Sequence, residues 1–559
     1  MSPDARPFRA LPLDQRSDGG TVLGGAADRI RRAAPRCPTE ATRPPAHSEK
    51  AMGRSNKSAW CIAVRSFTVA TMTETTFAVE SGAPLRAIDP RTGAGDATYD
   101  AASTDDVSRA ARKARSAQKR WEALGLDGRR TALLAWADAI EASAATIAEA
   151  EMRDTGRRRM AHEVPHIVAG SIRAWCGRAP WVVEAAALEG VSTVDPGVSF
   201  RTQLVPYPLV GIISPWNHPF LLSTLDLVPA LLAGSAAIVK PSEITPRFIE
   251  PVRSTLARVP ELEDVVTYLY GDGGTGRALI DVVDVLCFTG SVATGRKVAV
   301  ACAERFVPVF LELGGKDAAI VTRTADLERA TEAVLKGAVH NTGQICFATE
   351  RVYVQRPVIE EFVDLLVAKA RALKVNHPDI RHGHLGPFID QRQAVVVDRH
   401  LGDAVGKGAR ILTGGTSTDL DGGRYMEPTV VVGVDHSMSL MTEETFGPVI
   451  PVMPYDTEDE AVALANDSDY GLSAAVIAGD ADEAERIARR VDAGAISLQD
   501  TSLTITIMGD VEKTSFNRSG LGGSRMGPNA LLRFFRKKAL IRRDGPVTGM
   551  TSLGEDGLV

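Results

Sequence analysis

Cys346 lies in HNTGQICFATERVYV, a polar, loop-like stretch between a helix-breaking Gly343 and a β-like run. A thiol there has two readings: a nucleophile, or the buried structural residue that cysteine more often is. Cys302 sits in helical text and Cys287 in an apolar run, and both read as core. Glu312, in FLELGGKD, closes an apolar run before two glycines. A carboxylate at the end of a buried strand is costly unless it is paired or has a chemical role. Asn217, in SPWNHP, stands near two prolines at another strand end. Its amide could donate to an oxyanion, or make an Asx-type turn.

Phosphate-binding candidates come next. GDGGTG, Gly271 to Gly276, matches GxGxxG formally. The acid expected about 20 residues on, at the end of the next strand, is missing, and that strand ends in FTGS instead. A tight turn explains the glycines equally well. FTGS opens the helical text VATGRKVAVAC, so the amides and hydroxyl at Gly290 and Ser291 are the better anion site. KPSE places Lys240 and Glu243 at a strand end. Lysine can reach ribose or phosphate, and a carboxylate that accepts from an adenosine ribose repels a 2′-phosphate, which favours NAD over NADP. Taken alone, KPSE is also a surface turn.

The elements that must position these residues alternate. Asp105 to Thr155 is helical text with apolar positions at three- and four-residue steps. Short apolar runs follow at 200–216, 235–243, 265–273 and 283–291, with helical text between most of them. That pattern predicts βαβ units and a parallel sheet covered on both faces. After Gly315 it repeats in DAAIV, a helix over Asp326–His340, ERVYVQ, AAVIAG and AISLQD, which predicts a second α/β lobe. RFFRKKALIRR, Arg533–Arg543, is basic and β-capable.

Composition narrows the function class. The chain has 559 residues, 44% hydrophobic and 24% charged, with a formal net charge of −6. That is ordinary for a globular protein and argues against a dedicated nucleic-acid binder. The most apolar stretch, Leu221–Val239, is broken by Asp226, Pro229 and Gly234, so no membrane span is expected. Six scattered cysteines without a CxxC form neither a disulfide framework nor a metal site, and a cytoplasmic, reducing setting is expected. Residues 1–71 differ, with ten Arg and two Lys against six acidic residues. Three readings compete for them: a disordered extension, a segment upstream of a start at Met72, or an organelle transit peptide, which the six acids weaken.

PWNHP, KPSE, FTGS, LELGGKD, GQICFATER, EETFGPV and NDSDYGLSA occur in the order and spacing of the aldehyde dehydrogenase superfamily. The resemblance runs from about Phe77 to Ile541. It implies an α/β fold of aldehyde dehydrogenase type: a modified Rossmann cofactor domain, an α/β catalytic domain and a small β oligomerisation segment. The implied boundaries are 72–188 with 208–313 for the NAD-binding domain, 314–498 for the catalytic domain, and 189–207 with 499–545 for the bridge. It implies an NAD-dependent enzyme, with NADP the lesser alternative and no metal, acting on a small-molecule aldehyde as a homodimer or homotetramer. By resemblance, Cys346 is the nucleophile, Asn217 and the Cys346 N–H hold the oxyanion, and Glu312 activates water to hydrolyse the thioester. Because members that pass the acyl group to CoA lack this carboxylate, Glu312 favours a free acid product. The implied cofactor contacts are Ser214, Trp216, Lys240, Glu243, Gly273, Gly276, Gly290, Ser291, Glu444 and Phe446.

The C-terminal text departs from the family. SFNRSGLGGSRMGP, Ser515–Pro528, lacks the glycine pair usual after the Phe. The loop before it carries Leu503, Ile505, Ile507 and Met508, which mildly favours a hydrophobic or aromatic aldehyde. No Arg or Lys occurs between Gln499 and Val511 to bind a substrate carboxylate. A succinate-semialdehyde-type enzyme would need Arg173 or Arg178 to face the pocket. A catalytically idle binding relative is the remaining alternative, and the intact Asn217, Glu312 and Cys346 count against it.

Overall fold

Asp105–Thr155 forms three helices rather than one: Thr104–Ala123, Gly125–Ala142 and Ala144–Thr155. The breaks fall at Gly125, with φ +66°, and at Ser143, which leaves the helical region. The first helix starts on a capping box, Ser103 with Asp106, and buries Val107, Ala110, Ala111, Ala114, Ala117 and Trp121, the stripe its periodicity predicts. The computed structural model describes residues 84–547, together with Gly549 and Glu555. The three readings of residues 1–71 lie outside the described residues.

The 200–216 run splits at Tyr207, because Pro206 and Pro208 interrupt the ladder on either side of it. Its first half, Val198–Pro206, joins a three-stranded antiparallel sheet between Glu189–Val191 and Phe535–Arg543. Its second half, Leu209–Ile213, enters a six-stranded sheet. Across that sheet the order is Gly520–Leu521, Val309–Glu312, Val285–Thr289, Leu209–Ile213, Ala236–Lys240, Val266–Tyr268. All pairs are parallel except the first. The five parallel strands therefore stand in the order fifth, fourth, first, second, third. The strand order reverses between Leu209–Ile213 and Val285–Thr289, and ligands of open α/β sheets bind at the carboxyl ends beside such a switch. The ends here carry Ser214–Asn217, Thr289–Ser291 and Glu312.

The second lobe is a seven-stranded sheet in the order Arg410–Thr413, Thr429–Val432, Val449–Tyr455, Thr349–Gln355, Asp317–Val321, Ser473–Ile477, Ala495–Leu498. Only the Arg410–Thr413 edge is antiparallel. Asp317–Val321 is buried throughout, as an interior strand covered on both faces must be. Glu312 ends the last parallel strand of one sheet, and Asp317 begins an interior strand of the other. The four residues between them, Leu313–Lys316, join the two lobes at the site.

Candidate active site

Eight of the residues expected from sequence line one cavity of about 220 Å³: Trp216, Asn217, Gly290, Ser291, Glu312, Cys346, Glu444 and Phe446. Leu222, Gln393 and Val396 complete its apolar and amide wall. Trp216 and Phe446 meet edge to face at 5.4 Å.

Cys346 reaches the cavity from an unusual loop. The helix Leu327–Val339 ends three residues earlier than a stop at Gly343 requires. Asn341, Thr342 and Gly343 then all take left-handed backbone, at φ 54°, 56° and 72°. Two non-glycine residues in a row there are uncommon and must be held by their surroundings. The hold is visible. The Asn341 amide donates to the Gln344 and Asn217 carbonyls, and Thr342 binds the Arg157 guanidinium and the Gly386 carbonyl. The Gln344 side chain bridges Asn341, Pro387 and Ile389. Burial, then the charges of Glu444, Asp317 and Glu312, push the Cys346 thiol up to about 12, with Lys513 opposing them.

The Asn217 amide is buried and donates one N–H to the Gln344 carbonyl at 3.0 Å. That bond fixes the amide plane and leaves the second N–H for a ligand. Glu312 receives the Ser515 hydroxyl at 3.0 Å, and the Lys513 ammonium lies 3.8 Å away.

The glycine pair after Glu312 is required by packing. A Cβ at Gly314 would overlap the Glu444 carboxylate, and one at Gly315 would overlap the Cys346 carbonyl oxygen. The Gly315 N–H donates to Glu444 at 3.3 Å. Burial and the nearby Glu350 push the Glu444 carboxyl up to about 8. The Glu350 carboxylate also accepts from the Thr445 and Phe446 amides at 2.8 and 2.7 Å, and pairs with buried Lys316 at 2.8 Å. Phe446 sits at φ 53° on this clamp. Neither Lys316 nor Glu350 stands out in the sequence, although both belong to quoted motifs.

The remaining expected residues lie outside the cavity lining. The Lys240 ammonium is buried, bound to the Gly271 carbonyl at 2.7 Å and to Glu243 at 3.3 Å. Gly276 lies beside the Lys240 stem, and Gly273 opens the helix Gly273–Ile280. Asp272 caps that helix by accepting from the Gly274 and Thr275 amides, which occupies the groups a phosphate would need. By contrast, Ser291 caps Val292–Glu304 at the cavity wall. The Ser214 hydroxyl is buried without a hydrogen-bond partner. An orphaned hydroxyl, a helix N-terminus and a held ammonium, all along the carboxyl edge of one parallel sheet, fit a dinucleotide.

Arg173 does not face the cavity, because exposed Glu141 and Asp138 hold it at the surface. Arg178 packs on Gly509 and lies 3.7 Å from Asp510. Among the described residues no helix is long and apolar enough to cross a membrane.

The aldehyde dehydrogenase family model matches residues 77–540. A 4,4'-diapolycopene aldehyde oxidase of Methylomonas sp. is 38% identical over 376 residues, 67% of this chain and 68% of that protein. The solved structure of PutA from Anabaena variabilis, assigned to the aldehyde dehydrogenases, is 48% identical with a TM-score of 0.81, over 84% of this chain and 99% of that one. A betaine aldehyde dehydrogenase of Staphylococcus aureus, solved in complex with NAD+, is 28% identical with a TM-score of 0.78, over 84% and 93%. The match over nearly all of the described residues, joined to a two-lobed α/β fold with its cavity at the sheet's switch point, places this chain in the aldehyde dehydrogenase family.

Proposed function

We propose that the protein oxidises an aldehyde to the free carboxylic acid with NAD as acceptor. The observation that carries this reading is the convergence of Cys346, Asn217 and Glu312 on one cavity shared with Ser291, Glu444 and Phe446. The Cys346 thiolate adds to the aldehyde carbon, and the oxygen takes the negative charge beside the Asn217 amide and the Cys346 N–H. Ser214, Lys240, Glu243, Ser291, Glu444 and Phe446 would hold the dinucleotide. When bound, its nicotinamide would supply the acceptor for the hydride that the thiohemiacetal carbon loses in becoming a thioester. Glu312 takes a proton from water as the water attacks that thioester, and Cys346 leaves as the thiolate.

Family members use NAD(P). The half-exposed Glu243 carboxylate, 3.3 Å from the Lys240 ammonium, supports NAD, because a 2′-phosphate would meet its charge. The loop over residues 499–511, taken as the substrate mouth, supports an apolar aldehyde. Ile505, Ile507 and Val511 are exposed there, and the Arg178 guanidinium packed on the loop already faces Asp510. The pairing of Glu189–Val191, Val198–Pro206 and Phe535–Arg543 supports the bridging segment as an oligomerisation element, since it leaves a nine-residue basic edge strand exposed.

The test is NADH formation across short-chain, long-chain, aromatic and carboxylated aldehydes, with NADP alongside. Turnover with NAD, lost to background in Cys346→Ala, is expected. Glu312→Gln should complete one turnover and stop as a Cys346 thioester, read by mass spectrometry. Full steady-state activity in that variant would remove Glu312 from the base role.

A further inference from the structure

Glu312 is not held by its own lobe alone. The segment after the mouth loop brings Lys513 and Ser515 to it, and both charged side chains are nearly buried, with exposures of 10% for Lys513 and 14% for Glu312. The Lys513 Nζ donates to Ser515 Oγ at 3.3 Å, and Ser515 Oγ donates to Glu312 Oε2 at 3.0 Å. An ammonium can only donate, so the serine hydroxyl must accept from it and send its single proton to the carboxylate. Both contacts fall on Oε2. Among the described residues no hydrogen bond is given to Oε1. Arg525 adds a further positive charge behind the same carboxylate, held by Asp226 and bonded to Thr289, a cavity residue. Cys346 shares the cavity with Glu312. The carboxylates of Glu444, Asp317 and Glu312 raise its thiol, and Lys513 lowers it.

We infer that Lys513, acting through the Ser515 hydroxyl, is a positioning residue that fixes the Glu312 carboxylate by Oε2 and leaves Oε1 free for water. The inference rests on the proposed base role of Glu312.

The experiment uses the full-length enzyme without cofactor. p-Nitrophenyl acetate acylates Cys346 in a burst and then turns over at the rate of thioester hydrolysis. Lys513→Met should slow thioester hydrolysis about tenfold and leave the acylation burst within about twofold. Lys513→Arg should restore hydrolysis. Ser515→Ala, which keeps the ammonium but cuts the bridge, should slow hydrolysis likewise and also spare the burst. Parent-rate hydrolysis in Lys513→Met, or a burst slowed as much as hydrolysis in either variant, overturns the inference. If Glu312→Gln hydrolyses at the parent rate, the base role itself fails, and the two failures are told apart.

Discussion

Burial raises every described cysteine thiol: Cys176 and Cys302 to about 11, Cys346 to about 12, and Cys287 highest. Acidity therefore does not single out Cys346, and access does, since the other three are buried. With its ionisation point raised, the resting thiol is protonated at neutral pH, and the thiolate fraction grows about tenfold per pH unit until that point is reached. Iodoacetamide alkylation of the free enzyme should accordingly rise about tenfold per unit between pH 7 and pH 10 and fall on Cys346 first. A plateau near pH 8 would show a thiolate already formed. Glu151 gives a second test. It is buried and accepts from the Phe220 amide, and burial pushes its carboxyl up to about 8. A carboxyl raised in the folded state contributes stability that is complete below its ordinary range and lost as pH rises through about 8. Glu151→Gln should flatten the fall in Tm between pH 5 and 8.5. Glu312 and Asn217 were legible as candidates because polar side chains there end apolar runs, and Cys346 because it stands in a polar loop after Gly343. Lys513 and Ser515 were not, because a lysine and a serine in a polar loop look like solvent-facing residues until the fold brings them to Glu312.

Three loops meet at the site with no room for side chains between them. Gly314 accepts the Glu444 carboxylate, Gly315 the Cys346 carbonyl, and Gly343 the Gly447 carbonyl. The Glu350–Lys316 pair locks this junction, joining the strand that follows Cys346 to the loop that carries Phe446. Breaking a buried pair by neutralising one member costs about 3–5 kcal/mol, since it leaves the other charge uncompensated. Glu350→Gln should lower stability by that order in denaturant unfolding and raise KM for NAD as the 444–446 loop loosens. An unchanged KM would mean that the loop keeps its shape without the carboxylate. At this scale the strands were legible from apolar runs. The three left-handed residues before Cys346 were not, because only Gly343 among them has a composition that announces positive φ.

Across the whole molecule, the C-terminal segment is tied back to the first lobe through Asp226. That carboxylate pairs with both Arg525 and Arg533, and all three side chains are buried. Desolvation works to raise the Asp226 carboxyl, but the two guanidiniums overcome it and hold it below the usual carboxylate range. Asp226→Asn would leave two buried cations without a counter-charge. We expect a stability loss of about 3–5 kcal/mol, together with lost activity as the Lys513–Arg525 segment leaves Glu312. Retained stability would show the segment is held by packing alone.

Motif order and apolar periodicity by themselves determined the family, the α/β class and the residue types able to form and resolve a thioester. These are local properties, carried by short runs of neighbouring residues. Only the tertiary structure decided which cations approach Glu312 and where Arg173 and Arg178 point. Each of these depends on electrostatics and packing between segments apart in the chain, such as Lys513 with Glu312 and Arg525 with Asp226, and no local pattern encodes such distances.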